Sequence, residues 1–126
     1  MQTLQQQRAA HALQCVKAYA DKYTDKKEHS EYKSYAAALP AMIHMNGLGQ
    51  AAAFFKSKGG AHQALYQLLS DWLCAEDKPF STYNDLLLGI THADMQTYRL
   101  AQAEAQALMD WVKKFAKAYL RKDKEN

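Results

Sequence analysis

The sequence predicts an all-α protein, a single compact helical bundle of about six helices. Three observations carry that prediction. Apolar residues recur at helical spacing almost without interruption along the 126 residues. Alternating runs rich in Val, Ile and Thr, which would mark strands, are absent. Only 5 Gly and 2 Pro punctuate the chain, too few for many short strands and turns. The length is that of one domain, residues 1–126, and suffices for a hydrophobic core without disulfide or metal support.

The first helix is expected from about Thr3 to Tyr23, with Ala9, Ala12, Leu13, Val16, Ala20 and Tyr23 on one face. The polar stretch TDKKEHS connects it to a second helix beginning near Ser30, which carries Tyr32, Tyr35, Ala36 and Leu39. Pro40 has no N–H to donate, so it kinks that helix or starts a new turn. The unit is expected to end near Met45, with Gly47 as a left-handed cap and Gly49 at the next helix start. A helix from Leu48 to about Lys58 then buries Leu48, Ala51, Ala52 and Phe55, and its small residues allow close packing. Gly59-Gly60 ends it.

The next helix, from Ala61 to about Ala75, shows a core stripe of Ala61, Leu65, Leu68, Leu69, Trp72 and Leu73, broken by Lys78-Pro79. Ser81 or Thr82 is expected to cap a short helix carrying Leu86, Leu87 and Ile90. Thr91 and Asp94 have the spacing of a weak capping box. The last helix is expected to run to about Arg121, with KDKEN frayed.

Charge is unevenly placed. The net +3 hides two basic ends, residues 1–58 and 111–126, around an acidic middle, residues 59–110. Such segregation implies distinct surfaces with different partners. Cys15 and Cys74 lie far apart and in no motif, which reads as reduced thiols and a cytoplasmic location. No apolar run approaches the roughly 20 residues of a membrane span. The opening MQTLQQQRAA carries no hydrophobic signal region.

The last helix holds the clearest functional feature. Leu108, Trp111, Phe115 and Tyr119 fall on one face, while Lys113, Lys114, Lys117, Arg121 and Lys124 gather on the other. Residues 113, 117 and 121 are each four apart and form a ridge of like charge, which a polyanion such as a phosphate backbone would stabilise. A solvated face with cations near a helix C-terminus explains the same pattern. A second basic group is Lys17, Lys22, Lys26, Lys27 and Lys33, interleaved with Asp21, Asp25, Glu28 and Glu31, which local salt pairing accounts for. Arg8 and Lys22 share a flank of the first helix. The candidate RNA-binding residues are therefore Arg8, Lys17, Lys22, Lys113, Lys114, Lys117 and Arg121.

Catalytic readings find little support. Gly47-Leu48-Gly49 lacks a preceding strand, a third glycine and a Lys-Ser/Thr pair, so it reads as a corner and not as a phosphate loop. His11 and Cys15 are four apart and could chelate a metal, but no second close pair supports them. The carboxylates Asp71, Glu76, Asp77, Asp85 and Glu104 form no acid/base pair, and no serine sits in a nucleophile elbow. Tyrosines could stack on bases, but Tyr19, Tyr23, Tyr32, Tyr35 and Tyr66 sit at spacings suited to helix packing. No cofactor, metal site or enzymatic activity is expected.

At NGLGQAAAFFKSKG, with the preceding LPAMIHM, the chain resembles the small-subunit family of type III-B (Cmr) CRISPR effector complexes. The resemblance extends to the helix containing LLSDWLC and the final MDWVKKFAKAYL. It implies an all-α, non-catalytic subunit present in several copies along a helical ribonucleoprotein. The implied partners are the repeating backbone subunit, further copies of the chain, guide RNA and target RNA. Cleavage would belong to other subunits. Contacts to shape and phosphate without base reading suit a subunit that accepts any guide. The acidic middle then becomes a candidate protein-contact surface. Two rival readings stand beside this one: a purely protein-binding helical adaptor, and a metal- or thiol-dependent enzyme using His11 and Cys15.

Overall fold

A computed structural model describes residues 1–120 and contains five helices among them: α1 (Leu4–Lys22), α2 (Lys26–Lys58), α3 (Gly60–Leu73), α4 (Leu86–His92) and α5 (Met95–Tyr119). The all-α expectation holds. The count differs from six because the two helices expected on either side of Gly47 form one element, α2, interrupted at that glycine. The last helix closes at Tyr119. Arg121 and the KDKEN stretch lie outside the described residues.

Each start has a local cause. Thr3 Oγ1 accepts from the Gln6 N–H at 3.1 Å and Gln6 Oε1 accepts from the Thr3 N–H at 2.8 Å, a reciprocal box that opens α1. α2 starts at Lys26 and not near Ser30, because Asp25 Oδ1 accepts from the Glu28 N–H at 2.8 Å and pulls the polar connection into the helix. The cap of α4 is Asp85, whose side chain accepts from the Leu87 N–H; the expected Ser81 and Thr82 lie in the turns before it. Asp94 is itself the cap of α5, bonded to the Thr97 N–H at 2.8 Å. The proposed box partner Thr91 belongs to the last turn of α4, where its hydroxyl donates to the Leu87 carbonyl.

The corner inside α2 is built from two sides. The helix continues through Pro40, and Gln106 Nε2 on α5 donates to the Pro40 carbonyl at 3.1 Å. It breaks at Gly47, where φ is 87° and ψ is 157°. The positive φ matches the expected cap, but this ψ is extended and not left-handed helical, a region open essentially to glycine alone. The helix restarts at once. Its first donors are met by α5: Leu48 N–H by Gln102 Oε1 at 2.9 Å, and Gly49 N–H by the Tyr98 hydroxyl at 2.8 Å. These tertiary contacts fill the role that a local cap side chain would fill.

α5 packs between α1 on one flank and the first part of α2 on the other, and α3 lies along α2. The alanines Ala12, Ala51, Ala52, Ala101, Ala105 and Ala116 are all buried, letting these helices approach closely. Larger groups such as Leu39, Ile43, Leu65 and Leu108 fill the space between them. On α5 the buried stripe is Ala101, Ala105, Leu108, Met109, Val112 and Ala116. Trp111 and Phe115, expected on that face, sit at its edge, and Tyr119 is half exposed. Tyr19, Tyr32 and Tyr66 are core residues.

Candidate nucleic-acid interface

Lys113 and Lys117 stand one turn apart on the α2 side of α5. Across the seam, the first part of α2 brings Ser30, Lys33, Ser34 and Ala37 to the same place. Together these six residues line an open cleft of about 450 Å³. Lys114 is one position, about 100°, further round α5 and exposed on its crest. On the other flank, the Lys17 ammonium of α1 lies 5.5 Å from the centre of the Tyr119 ring. The end of α5 is thus bordered by cations from α1 and α2 as well as its own. Among the described residues, none of these lysines has a carboxylate oxygen within 4.0 Å.

Two expected residues stand elsewhere. Lys22 borders a second groove of about 470 Å³ between α1 and α3, with Cys15, Tyr19, Tyr32 and Asp71, and its ammonium lies 5.3 Å from the Tyr23 ring centre. Arg8 is engaged inside the fold. Its Nε donates to Glu104 Oε2 at 2.6 Å and its Nη2 to Glu104 Oε1 at 2.8 Å, while Trp72 Nε1 donates to the same carboxylate at 2.8 Å. The two side chains are only 15% and 11% exposed. Burial pushes the Glu104 carboxyl up, but the Arg8 and Trp72 hydrogen bonds and the Arg8 charge outweigh it and hold the group below the usual carboxylate range. Arg121 lies outside the described residues.

Lys33, Ser30 and Ser34 are not among the residues that the sequence singles out. Interleaved Glu28 and Glu31 make Lys33 look locally paired. The spacing of 30, 33, 34 and 37, which is i, i+3, i+4, i+7, is the signal that places all four on one helix face.

The other candidate chemistries meet different geometry. His11 Nε2 lies 3.0 Å from the Leu68 carbonyl and the ring packs 5.2 Å from Trp72. Burial, with Asp71 adding, pushes the neighbouring Cys15 thiol up to about 11, so it is held as a thiol and not the nucleophilic thiolate. At the glycine corner, both leading N–H groups are engaged by α5 and face no phosphate. Of the acidic middle, Asp85 caps α4 and accepts from the Tyr66 hydroxyl at 2.9 Å, and Asp71 accepts from Gln67 at 2.7 Å; Glu76 and Asp77 are exposed. No helix among the described residues is long and apolar enough to cross a membrane.

An all-α bundle with a basic seam, a buried arginine–carboxylate–tryptophan knot and a helix broken at a glycine corner defines a small helical binding module. Comparison with known proteins places it. The family described as CRISPR-associated protein (Cas_Cmr5) matches residues 4–119, and the chain belongs to that family, the small subunits of type III-B (Cmr) complexes. A curated relative, the CRISPR system Cmr subunit Cmr5 of Thermus thermophilus, is 33% identical over 91 residues, covering 71% of this chain and 75% of the relative. The X-ray crystal structure of a CRISPR-associated Cmr5 family protein from Thermus thermophilus superposes with a TM-score of 0.77 at 28% identity, over 95% of this chain and 100% of that one.

Proposed function

We propose that this chain, as one small-subunit domain over residues 1–126, is a non-catalytic, RNA-binding structural subunit of a type III-B CRISPR ribonucleoprotein in antiviral defence. Copies stack along the complex beside its repeating backbone subunit, and their basic seams follow the guide and target RNA. Family membership supports the assembly part of this reading. The observation that carries the RNA part is the convergence of Lys33, Lys113 and Lys117 on one cleft, free of carboxylates within 4.0 Å among the described residues. Like charges brought together across a helix seam repel, and a phosphate backbone relieves that repulsion and releases counterions. Lys114 on the crest and Lys17 beside Tyr119 extend the same face. Arg8 is left out of it because Glu104 already holds its guanidinium.

The test uses the assembled complex. With Lys113 and Lys117 both changed to Glu, the fold and the assembly are expected to persist while target-RNA capture weakens, most strongly at low salt. Unchanged capture at several salt concentrations overturns the RNA assignment.

A second reading, a protein-binding adaptor without direct RNA contact, is favoured by one observation. Met45 and Phe54 are 79% and 43% exposed beside a shallow hollow lined by Met42, Asn46, Gln50 and Phe54. Co-purification of large partners with no RNA crosslinked to this subunit would support that reading over the first.

A further inference from the structure

We infer that the α2–α5 seam is a seat for the sugar–phosphate backbone of one RNA strand, in which Lys33, Lys113 and Lys117 hold neighbouring phosphates and the Ser30 and Ser34 hydroxyls donate to their oxygens. This rests on the RNA-binding reading above and assigns it to one cleft and to three residues outside the lysine ridge of α5.

The geometry fits a strand's backbone. Lys113 and Lys117 are four residues apart, so their stems leave α5 about 6 Å apart along its axis. That is on the scale of neighbouring phosphates in one strand, and it lets the two ammonium groups serve two successive phosphates. Lys33 reaches the same cleft from the opposite wall, so a phosphate lying in it meets cations from both helices. Neither serine hydroxyl has a hydrogen-bond partner among the described residues, and both line the cleft. They supply neutral donors at the same place.

The lining also limits what is read. It holds no aromatic ring, amide, arginine or carboxylate, the groups that stack on bases or pair with their edges. Its floor is Ala37 and lysine methylenes. Such a cleft holds a backbone and is indifferent to sequence, unlike a surface built to recognise a motif.

Full-length chain is titrated against a fluorescent single-stranded RNA of mixed sequence over a range of salt. Each phosphate contact contributes about 0.7 to the slope of log K against log salt for a single strand. Lys33→Gln is expected to lower that slope by about 0.7, and Lys113→Gln with Lys117→Gln by about twice as much. Lys33→Arg should keep the wild-type slope. Ser30→Ala with Ser34→Ala should weaken binding several-fold at every salt concentration and leave the slope unchanged, because a hydroxyl carries no charge. Circular dichroism checks that each variant is folded.

If the α5 double variant loses slope while Lys33→Gln does not, the seat is overturned and the broader RNA reading stands. If wild-type protein fails to bind RNA at low salt, or every variant binds as wild type does, both are overturned. Poly-glutamate displacing the RNA as well as unlabelled RNA does, charge for charge, assigns the cleft to an acidic protein partner and overturns the seat.

Discussion

Phe80 presses so closely on Gly89 that a Cβ at residue 89 would stand 2.5 Å from both Cγ and Cδ2 of the ring. Phe80 is fully buried beneath the turns that join α3 to α4, and its N–H donates to the Leu73 carbonyl at 2.9 Å, so neither partner has room to retreat. Gly89→Ala should therefore destabilise the protein by about 1–3 kcal/mol through overpacking, despite the better helix propensity of alanine. Urea unfolding measures it. Combining the change with Phe80→Leu should recover part of the loss, since the two residues share one contact.

At the α2 corner, Tyr98→Phe and Gln102→Leu each leave one part-buried backbone donor, at Gly49 or Leu48, without its acceptor. Each should cost about 1–3 kcal/mol. Hydrogen exchange gives a sharper readout: the Gly49 amide should exchange faster in the Tyr98 variant, and the Leu48 amide in the Gln102 variant. Equal protection in variant and wild type would show that the caps are dispensable.

The Glu104 knot makes stability depend on acid. Its folded-state pKa lies below the ordinary 4.5, so the contribution is present above that value and is lost as pH falls through the lowered folded value. Glu104→Gln should remove that part of the pH dependence. It should also cost about 3 kcal/mol or more at neutral pH, because a largely buried Arg8 charge loses its partner. Chemical denaturation at a series of pH values between neutral and strongly acidic tests both statements.

His62 adds a second acid-sensitive step at higher pH. Burial, helped by Lys58, holds its pKa below the ordinary 6.5, and its ring stacks on Tyr35 with centroids 3.7 Å apart. The unfolded chain then binds the proton more readily, so stability falls as pH drops from about 6.5 towards the lowered folded value. His62→Phe should flatten the stability profile in that interval and leave the Glu104 step in place. The same pH series resolves the two.

Much of this fold is legible in the sequence because its signals are local. Gly47, Gly59 and the apolar stripe of α3 mark themselves by backbone freedom or by spacing, and the stretch from Leu39 to Gly60 carries the family resemblance. Asp25 and Asp85 do not stand out, because each lies in a polar stretch where several residues could cap a helix. The role of Arg8 is out of reach for a different reason: its partner Glu104 is 96 residues away, and no helical periodicity links two faces until α1 and α5 are packed. The same holds for the candidate seam. The ridge of α5 is visible by itself, but Lys33 joins it only through the crossing of α2 and α5.

The corner at Gly47 has a consequence for biosynthesis. Its two leading donors wait for Tyr98 and Gln102, 49 and 54 residues further along the chain. A nascent polypeptide that has emerged from the ribosome only as far as α4 holds the restarted half of α2 with its first N–H groups open to water. Completion of the corner belongs to the end of translation, when α5 emerges and docks.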